Sequence, residues 1–413
     1  VGGGSVIDSA KCIADWAGNP EKNAEEIWKY FQKEDLPQKA LPVGVILTLA
    51  ASGSEMSASC VITNENGWLK RGFNSETHRP LFAIMNPELT YSVGPFQTAC
   101  GIVDIMMHTL ERYFCINTGN EFTDRLDEAL LKSVVHAGRK VMKYPRNYDA
   151  RANLMWAGSW SHNDLTGTGR TYLMRVHQLE HEVSGMYPEI AHGAGLSALF
   201  CSWARFMVEK VPERFAQYAA RVWDCEINPH NILLTAQEGI DKTESFFREL
   251  NMPVSLKELH VKPETMEEMA EKCTFFGKRV LTDYITLGKE EIYKIFEMAY
   301  NKDLQLYEGI NSQYTYEERL HMMIEPLMNW YEKNRRKLPW RENPEPYWVW
   351  VSEIMLQQTR VEAVKPYFMR FMQNFPTIHD LAMTEDDLLM KMWEGLGYYS
   401  RARNLKKTAQ ICV

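Results

Sequence analysis

Two stretches of the sequence place potential metal ligands four residues apart. Asp104 and His108 lie in one strongly helical stretch. His177 and His181 repeat the spacing in RVHQLEHE, and His192 follows beside glycine in IAHGAG. Residues four apart in a helix face the same way, so both members of a pair can approach one ion. One carboxylate with two or three imidazoles suits Fe(II) or Zn(II), and the set predicts a divalent metal site.

Five other histidines belong to no cluster of this kind. A single histidine in a helix is more often packed or exposed than bound to a metal. We therefore expect structural roles for His78, His136, His162, His230 and His260.

The chain opens with Gly2-Gly3-Gly4, followed by Ser5 and a helical pattern that contains Asp8. Glycine lets the backbone approach a phosphate closely, and a helix N-terminus offers free N–H groups and partial positive charge. Ser5 can cap that helix and donate to the phosphate. The alternative is an ordinary glycine turn with a serine cap, because the spacing is not GxGxxG.

Basic and aromatic side chains are interleaved in two clusters near the C-terminus. The first surrounds Leu338-Pro339-Trp340, and the second follows Tyr398-Tyr399. Such mixtures fit phosphate contacts with base stacking or wedging, although composition alone favours a solvated helix face. Between the clusters, Glu353 stands in an otherwise apolar helical stretch, where a carboxyl group can act as a general acid or simply point to solvent.

Composition limits the function classes that the chain can serve. Its 413 residues carry 46 basic and 54 acidic side chains, which gives a formal net charge of −8 at pH 7. This acidic excess argues against a protein that binds nucleic acids or membranes non-specifically. The longest apolar run, residues 40–51, is too short to span a bilayer, and no signal peptide opens the chain. Eight scattered cysteines without a CxxC motif indicate a cytoplasmic protein without disulfides or a cysteine metal site.

The charge balance and the predicted secondary structure both change along the chain. Residues 1–300 hold 31 basic and 39 acidic side chains, whereas residues 301–413 hold 15 of each. The strand-like VGVILTLA follows the opening helix, and after Asn86-Pro87 the pattern becomes helical. We predict helices over Ile102–Tyr113, Glu121–Met142, Ala150–Ser161, Arg170–Ser184, Gly193–Lys210 and Pro212–Trp223.

Five motifs, in this order, connect the first 300 residues with a known family: GGGSVIDSAK, TLAASGSE, RPLFAIMNPELT, GIVDIMMHTLERYF and HQLEHEVSGMYPEIAHGAGLSAL. Together they closely resemble iron-containing alcohol dehydrogenases, nearest to the butanol-dehydrogenase-like, NAD(P)H-dependent aldehyde reductases. The resemblance implies a homo-oligomeric enzyme that uses NAD or NADP and acts on a small aldehyde or alcohol. It also implies that the opening strands and helices of the family's nucleotide-binding fold are missing from this sequence.

The same resemblance assigns roles to single residues. It implies that Fe(II), or Zn(II), is bound by Asp104, His108, His177 and His192. It places His181 near the substrate as a proton relay. It implies that the cofactor is held by Gly3, Gly4, Ser5 and Asp8, with Thr48 and Ser52 lining the same cleft.

A second resemblance covers residues from about 318 to the end. The strings LPWRENPEPYWVWVSEIMLQQTRVEAVKPYF and WEGLGYYSRARNLKKTAQ closely resemble the N-terminal catalytic region of A/G-specific adenine DNA glycosylases, which are helix-hairpin-helix enzymes. The resemblance implies mismatched duplex DNA as a partner and Glu353 as the acid that protonates a flipped adenine. The DNA-contacting residues that it implies are Gln357, Tyr398, Arg360, Arg401 and Arg403. The four cysteines of the family's iron–sulfur cluster have no counterpart here, and we expect no useful glycosylase turnover.

The expected fold class is α/β plus all-α. We predict the remainder of an α/β dinucleotide-binding domain over 1–87, an all-helical metal-binding dehydrogenase domain over 88–300 and a linker over 301–316. Residues 317–413 are predicted to form a partial helix-hairpin-helix glycosylase domain.

Three interpretations of the whole chain remain open. The first is a metal-dependent alcohol dehydrogenase or aldehyde reductase joined to an incomplete adenine DNA glycosylase domain. The second is a DNA-repair glycosylase that removes adenine mispaired with 8-oxoguanine. The third is a non-functional joined fragment of two neighbouring genes. We rank the first ahead because its metal ligand set is complete, and we expect no membrane partner.

Overall fold

The computed structural model divides into two compact units, Val1–Asn311 and Ser312–Val413. It describes residues 1–116, 119–282, 284–301, 335–342, 344–357 and 359–413, together with 324, 327–328 and 331–332. The linker predicted over residues 301–316 lies outside the described residues except for residue 301. No helix in the described ranges is long and apolar enough to cross a membrane. The predicted division of the first unit at residue 87 stays a prediction.

The first unit combines short strands with long helices. Its helices are α1 (Gly4–Gly18), α2 (Ala24–Phe31), α3 (Pro95–Tyr113), α4 (Glu121–Lys143), α5 (Tyr148–His162), α6 (Arg175–Met186), α7 (His192–Met207), α8 (Pro212–Val222), α9 (Ile232–Glu249), α10 (Met266–Cys273) and α11 (Lys289–Tyr300). Its strands are β1 (Gly44–Ile46), β2 (Ser59–Asn64), β3 (Leu69–Asn74), β4 (Phe82–Ile84), β5 (Leu281–Thr282) and β6 (Thr286–Leu287).

The N-terminal segment builds part of a parallel sheet. β1 pairs in parallel with β4, and Gly2 forms a further parallel bridge to Leu47. The bridge places the glycine run at the end of this sheet, directly before α1. β2 and β3 form a separate antiparallel hairpin that packs against α1. The strand predicted over residues 43–50 is therefore shorter, because the chain turns away after the bridge through Gly53, which has a left-handed φ of 66°.

Helix α3 lies at the centre of the helical region. Every residue from Thr98 to Tyr113 is buried, and the helix packs against α4, α5 and α7. A helix that is buried all round must satisfy each polar side chain inside the protein. The polar residues of α3 are therefore held by specific partners, which makes the helix a rigid support for a site.

The six helices predicted in this region are present, and two of them begin five or more residues away from the predicted start. α3 begins at Pro95 rather than at residue 102, because proline is well suited to the first helical position. α6 begins at Arg175 rather than at Arg170. The Arg170 guanidinium lies 2.5 Å from carboxylate oxygens of Asp124 and Asp127, and these buried ion pairs hold its backbone outside the helix.

The described part of the second unit is helical. Its helices are α12 (Pro339–Glu342), α13 (Pro346–Leu356), α14 (Val361–Asn374), α15 (Ile378–Met383), α16 (Asp386–Trp393) and α17 (Ser400–Cys412). Their buried side chains form one core that includes Trp340, Phe368, Phe371 and Trp393. The expected fold class, an α/β segment followed by helical domains, is confirmed.

Candidate functional site

A cavity of about 860 Å³ lies in the first unit, bordered by the glycine-rich N-terminal segment and by helices α3, α6 and α7. Of the eleven residues predicted for metal, cofactor and proton relay, nine line it: Gly4, Ser5, Asp8, Ser52, Asp104, His108, His177, His181 and His192. Gly3 and Thr48 are not among the lining residues. The N–H group of Thr48 donates to the carbonyl oxygen of Gly2 at 3.1 Å, which fixes Thr48 at the end of the sheet.

The predicted metal ligands converge on one part of the cavity wall. Asp104 Oδ1 lies 3.5 Å from Nε2 of His177 and 3.8 Å from Nε2 of His192. His108, one turn after Asp104 on α3, has its ring centroid 4.4 Å from that of His177. Three helices thus bring one carboxylate and three imidazoles together.

Each of these imidazoles has its Nδ1 atom engaged by an acceptor. Glu111 binds Nδ1 of His177, and Glu180 binds Nδ1 of His192. His108 Nδ1 donates to the backbone carbonyl of Asp104 at 2.9 Å. The Nε2 atoms are then the ones left for a metal, since an acceptor on the other nitrogen commonly orients a ligating histidine.

The site has polar atoms that only a missing partner can satisfy. Asp104 Oδ1 and His177 Nε2 are both buried and have no hydrogen-bond partner in the described structure. Buried polar atoms in proteins are nearly always paired, so two adjacent orphans indicate a bound species. A divalent cation would satisfy both, and one carboxylate with three imidazoles fits Fe(II) or Zn(II).

Burial and neighbouring charges set the protonation of the cavity wall. Burial lowers the pKa of His108 and of His181 well below the usual range, with Lys70 adding to the effect on His181. Burial would raise the pKa of Glu180, but the opposing effects of His192 and Lys70 lower it to about 2. His181 is therefore neutral near pH 7, and Glu180 is ionised.

Two carboxylates of this site were not found from the sequence. Glu111 also accepts hydrogen bonds from the N–H groups of Val176 and His177, at 2.7 and 3.0 Å, so it caps α6 while orienting its histidine. Glu111 follows His108 by three residues, and Glu180 follows His177 by three. A search for carboxylates at helical spacing from the candidate ligands would have found both.

His162 was predicted to be structural, but the structure places it in the cavity wall. Its ring centroid lies 4.0 Å from that of His108, and its Nδ1 atom lies 2.7 Å from the carbonyl oxygen of Ser52. No local pattern marks this residue, because α5 brings it to the site from more than fifty residues away.

The glycine run adopts the predicted turn between a strand-like bridge and a helix. A Cβ atom on Gly4 would lie 2.4 Å from Ser52 Oγ, so a larger residue at this position would force the Ser52 side chain to move. Ser5 does not cap the helix as predicted: Gly3 occupies the N-cap position and Ser5 lies in the first helical turn. The first N–H groups of α1 are left without helical partners beside the cavity, as a phosphate site requires.

Asp8 lies behind this turn in a fixed position. Its carboxylate accepts a hydrogen bond from Ser54 Oγ at 2.5 Å and another from the N–H group of Val61 at 2.9 Å. Burial raises the pKa of Asp8 above its usual value, against the opposing effect of Lys11. The residue is therefore anchored by the hairpin while one side faces the cavity.

In the second unit, the Arg401 guanidinium bonds to backbone carbonyl groups of its own unit, and its DNA contact stays a prediction. Its guanidinium donates to the carbonyl oxygens of Ile354 and Met355 at 3.0 and 3.1 Å, and to that of Leu396 at 3.1 Å. It also binds the carbonyl oxygen of Gln357. Through its two terminal nitrogens, Arg401 thus caps the C-terminal end of α13 and ties it to the loop before α17.

The other predicted DNA-contacting side chains of this unit are exposed. Gln357 ends α13, and Tyr398 is 63% exposed with a left-handed φ of 47°. Arg401 connects both, because its guanidinium also lies 5.5 Å from the Tyr398 ring centroid. Arg360 and Arg403 are exposed at the starts of α14 and α17, and Glu353 is exposed on α13.

Family comparisons match both units. Residues 1–87 match the family described as iron-containing alcohol dehydrogenase, and residues 98–300 match the C-terminal domain of the same family. Residues 351–413 match the HhH-GPD superfamily of base excision DNA repair proteins. An adenine DNA glycosylase of Buchnera aphidicola is 54% identical over 86 residues, which cover 21% of this chain and 25% of that protein.

The relatives of the first unit are similar over most of their length. A probable NADH-dependent butanol dehydrogenase of Bacillus subtilis is 35% identical over 299 residues, covering 72% of this chain and 76% of that protein. The crystal structure of NADH-dependent butanol dehydrogenase A from Thermotoga maritima has a TM-score of 0.68 and 29% identity, covering 73% of this chain and 75% of that one. Through its first 300 residues, the chain belongs to the iron-containing alcohol dehydrogenase family.

Proposed function

We propose that the first unit is a metal-dependent aldehyde reductase or alcohol dehydrogenase that uses NAD or NADP. The observation that carries the proposal is the convergence of Asp104 with three histidines whose Nδ1 atoms are all engaged by acceptors. The similarity to NADH-dependent butanol dehydrogenases supports the cofactor and the substrate class.

The metal would be Fe(II) or Zn(II), held by Asp104, His108, His177 and His192. When bound, such a cation polarises a carbonyl oxygen, while a nicotinamide supplies the hydride. The residues themselves position these partners: Glu111 and Glu180 fix the imidazoles, and the buried helix α3 holds the carboxylate in place.

The reaction also needs a proton relay to the alcohol oxygen and a binding site for the cofactor phosphates. His181 lines the cavity with its ring centroid 5.6 Å from that of His192. A neutral imidazole can accept a proton on one nitrogen and donate from the other, which suits a relay to the alcohol oxygen. The first turn of α1 supplies the N–H groups for the cofactor phosphates, with Ser52 beside it.

The activity assay uses the full chain reconstituted anaerobically with Fe(II), or separately with Zn(II). We expect butanal to oxidise NADH or NADPH in a metal-dependent manner, and His177→Ala to abolish the reaction. His136→Ala, which changes a histidine outside the cavity, is the matched control. Absence of turnover with either metal and either cofactor would contradict the proposal.

We also propose a cellular location and an oligomeric state for the enzyme. None of the eight cysteines, all of which lie in the described part of the chain, forms a disulfide, which fits the reducing cytoplasm that we propose for the enzyme. We propose a homo-oligomer built through the first unit, and light scattering of the full chain tests this assembly directly.

A second candidate function rests on the second unit, in which Gln357, Tyr398 and Arg403 are exposed. We propose that this surface binds duplex DNA that contains adenine opposite 8-oxoguanine. Binding should weaken with added salt, and Tyr398→Ala should reduce the preference for the mismatch over a matched duplex. Equal affinity of the unaltered chain for both duplexes would rule out mismatch recognition.

Glu353 is the proposed acid for adenine excision. If excision by the full chain is measurable, Glu353→Gln should abolish it while leaving DNA binding intact. Equal excision by the variant would remove Glu353 from this role.

A further inference from the structure

The cavity of the first unit carries an excess of cationic side chains on one wall. Four cations line this wall: Lys33, Lys70, Arg71 and Arg279. Lys70 lies 3.3 Å from Glu180, and Arg71 lies 2.8 Å from Glu182. Among the described residues, no carboxylate lies within ion-pair distance of the remaining two, which leaves Lys33 and Arg279 available to a ligand.

Arg279 is held in place without a direct ion pair among the described residues, although Glu182, the partner of Arg71, lies near enough to attract it. Its Nε atom donates to the carbonyl oxygen of Cys273 at 2.8 Å, and its guanidinium lies 3.6 Å from the Phe275 ring centroid. The Arg71 guanidinium lies 4.8 Å from the same centroid. Two guanidinium groups thus converge on one aromatic ring, which orients them but does not neutralise their charge.

The segment that presents Phe275 has an unusual backbone. Phe275 and Phe276 have left-handed φ values of 50° and 56°, which are rare for bulky side chains. Such conformations concentrate at binding and catalytic sites, where the surrounding structure maintains them. Lys33, which also lines the cavity, has a left-handed φ of 63° as well. Its pKa is lowered by burial and by the positive charges of Arg279 and Arg71, so the three cations share one region.

This cationic region begins at the metal centre. Lys70 immediately precedes Arg71 on β3, and its Nζ atom lies 3.3 Å from Nδ1 of His192. Because Lys70, Arg71 and Arg279 all line the same cavity, a ligand that has an oxygen at the metal centre can extend through the cavity toward Arg71 and Arg279. Guanidinium groups pair best with carboxylate and phosphate oxygens, which match their planar arrangement of donors.

We propose that Lys33 and Arg279, next to the Arg71–Glu182 ion pair, form an anion subsite of the cavity, which takes the carboxylate of a short oxo acid or of the corresponding hydroxy acid. The proposal rests on the proposed dehydrogenase function, because it names the class of substrate for the same cavity. A phosphate group of the nicotinamide cofactor has the same anionic chemistry and is the other source that the test must distinguish.

The test measures binding to the full chain and needs no turnover, so it can fail independently of the dehydrogenase assignment. The probe is succinate, titrated by ligand-observed NMR, and the variant is Arg279→Gln. Lys278→Gln is the matched control, because it removes one positive charge from the adjacent exposed residue, which does not line the cavity. A second variant, Lys33→Gln, guards against a folding defect in the first, and the urea midpoint is recorded for each.

We expect Arg279→Gln to weaken succinate binding about tenfold and Lys33→Gln to weaken it severalfold, while Lys278→Gln has no effect. Parallel titrations with NAD and NADP identify the source of the anion. Weaker binding of NADP alone in Arg279→Gln would support an anion subsite occupied by the cofactor phosphate instead of a substrate. No binding of any anion to the unaltered chain, or equal binding by Arg279→Gln and Lys278→Gln, would overturn the subsite.

Discussion

Glu111 links two helices through one carboxylate. It is 1% exposed, it accepts hydrogen bonds from the first N–H groups of α6, and it binds Nδ1 of His177. The same group therefore sets the position of the helix and the orientation of its imidazole. Removing the charge of Glu111 should displace Nε2 of His177 or lower the basicity of that nitrogen, although Glu111 itself is not a proposed metal ligand.

We predict that Glu111→Gln weakens the affinity for Fe(II) or Zn(II) about 10- to 100-fold. The measurement is a competition titration of the full chain against a chelator. Glu121→Gln, at an exposed carboxylate of α4, should leave the affinity unchanged. An unchanged affinity in Glu111→Gln would show that this carboxylate does not orient a metal ligand.

As a basic residue, Arg401 suggests a DNA contact, and the structure shows that it also donates to backbone carbonyl groups of its own unit. We expect Arg401→Gln to leave the carbonyl groups at the end of α13 without donors, at a cost of about 1 to 3 kcal/mol. Hydrogen exchange of residues 346–356 should become faster, whereas Arg403→Gln should leave it unchanged. If exchange in Arg401→Gln stays slow, the arginine does not stabilise this helix end.

The candidate metal ligands could be located in the sequence because helical spacing is a local property. Asp104 and His108 share a helix face, so two ligands of the set are adjacent before any folding is considered. The pairing of Glu111 with His177 joins residues 66 positions apart, and only the packing of α3 against α6 creates it. His162 could not be predicted for the same reason.

At the scale of elements, the site depends on how closely α3 and α7 approach. A Cβ atom on Gly193 would lie 2.3 Å from the carbonyl oxygen of Cys100, a distance that the two backbones cannot relieve without moving apart. Asp104 and His192 lie on these two helices, next to the contact. The spacing of two metal ligands is therefore set by one glycine.

We predict that Gly193→Ala destabilises the first unit by about 1 to 3 kcal/mol and weakens metal binding, because the helices must separate. Gly94→Ala is the matched control, since a Cβ atom at Gly94 meets nothing within 4 Å. Urea unfolding and the chelator competition measure the two effects. If Gly193→Ala has the same urea midpoint and the same metal affinity as the unaltered chain, the two helices tolerate the added methyl group.

The buried ion pair between α4 and the segment before α6 predicts a dependence of stability on pH. Burial raises the pKa of Asp127 to about 7, against the lowering effect of Arg170. Because this pKa is higher in the folded chain than in the unfolded chain, Asp127 stabilises the fold at low pH and loses that contribution as pH rises through about 7.

We therefore expect the free energy of unfolding to fall more steeply between about pH 5 and about pH 7 in the unaltered chain than in Asp127→Asn, with a difference of about 2 kcal/mol. Urea midpoints at the two pH values give the comparison, and Asp149→Asn, at an exposed carboxylate, is the control. Parallel pH profiles of Asp127→Asn and the unaltered chain would mean that Asp127 stays ionised.

The sequence predicted the presence of the helices more accurately than the residues at which they begin. The apolar periodicity identified the six helices, because a buried helix face has to recur every three to four residues. The start of α6 was wrong by five residues, since Arg170 is held by acids that come from α4. Long-range ion pairs of this kind leave no local pattern.

At the scale of the whole molecule, one chain joins a unit of the iron-containing alcohol dehydrogenase family to a segment similar to the HhH-GPD superfamily of base excision DNA repair proteins. The first unit contains the four predicted ligands of a metal centre, and the second contains an exposed aromatic and basic surface. Both family assignments could be made from motif strings, because each string combines residues that are adjacent in the chain. Helical spacing marks Glu111 and Glu180 as candidates, but their pairing with His177 and His192 and the cationic side chains of the cavity needed the folded structure.

The measurement that tests the central claim most directly is the metal content of the full chain after anaerobic exposure to Fe(II) and removal of loosely bound ions. We predict one ion per chain, its loss in His177→Ala, and its retention in His136→Ala. Absence of bound metal from the unaltered chain, or equal metal content in both variants, would contradict the assignment of Asp104, His108, His177 and His192 as a metal centre.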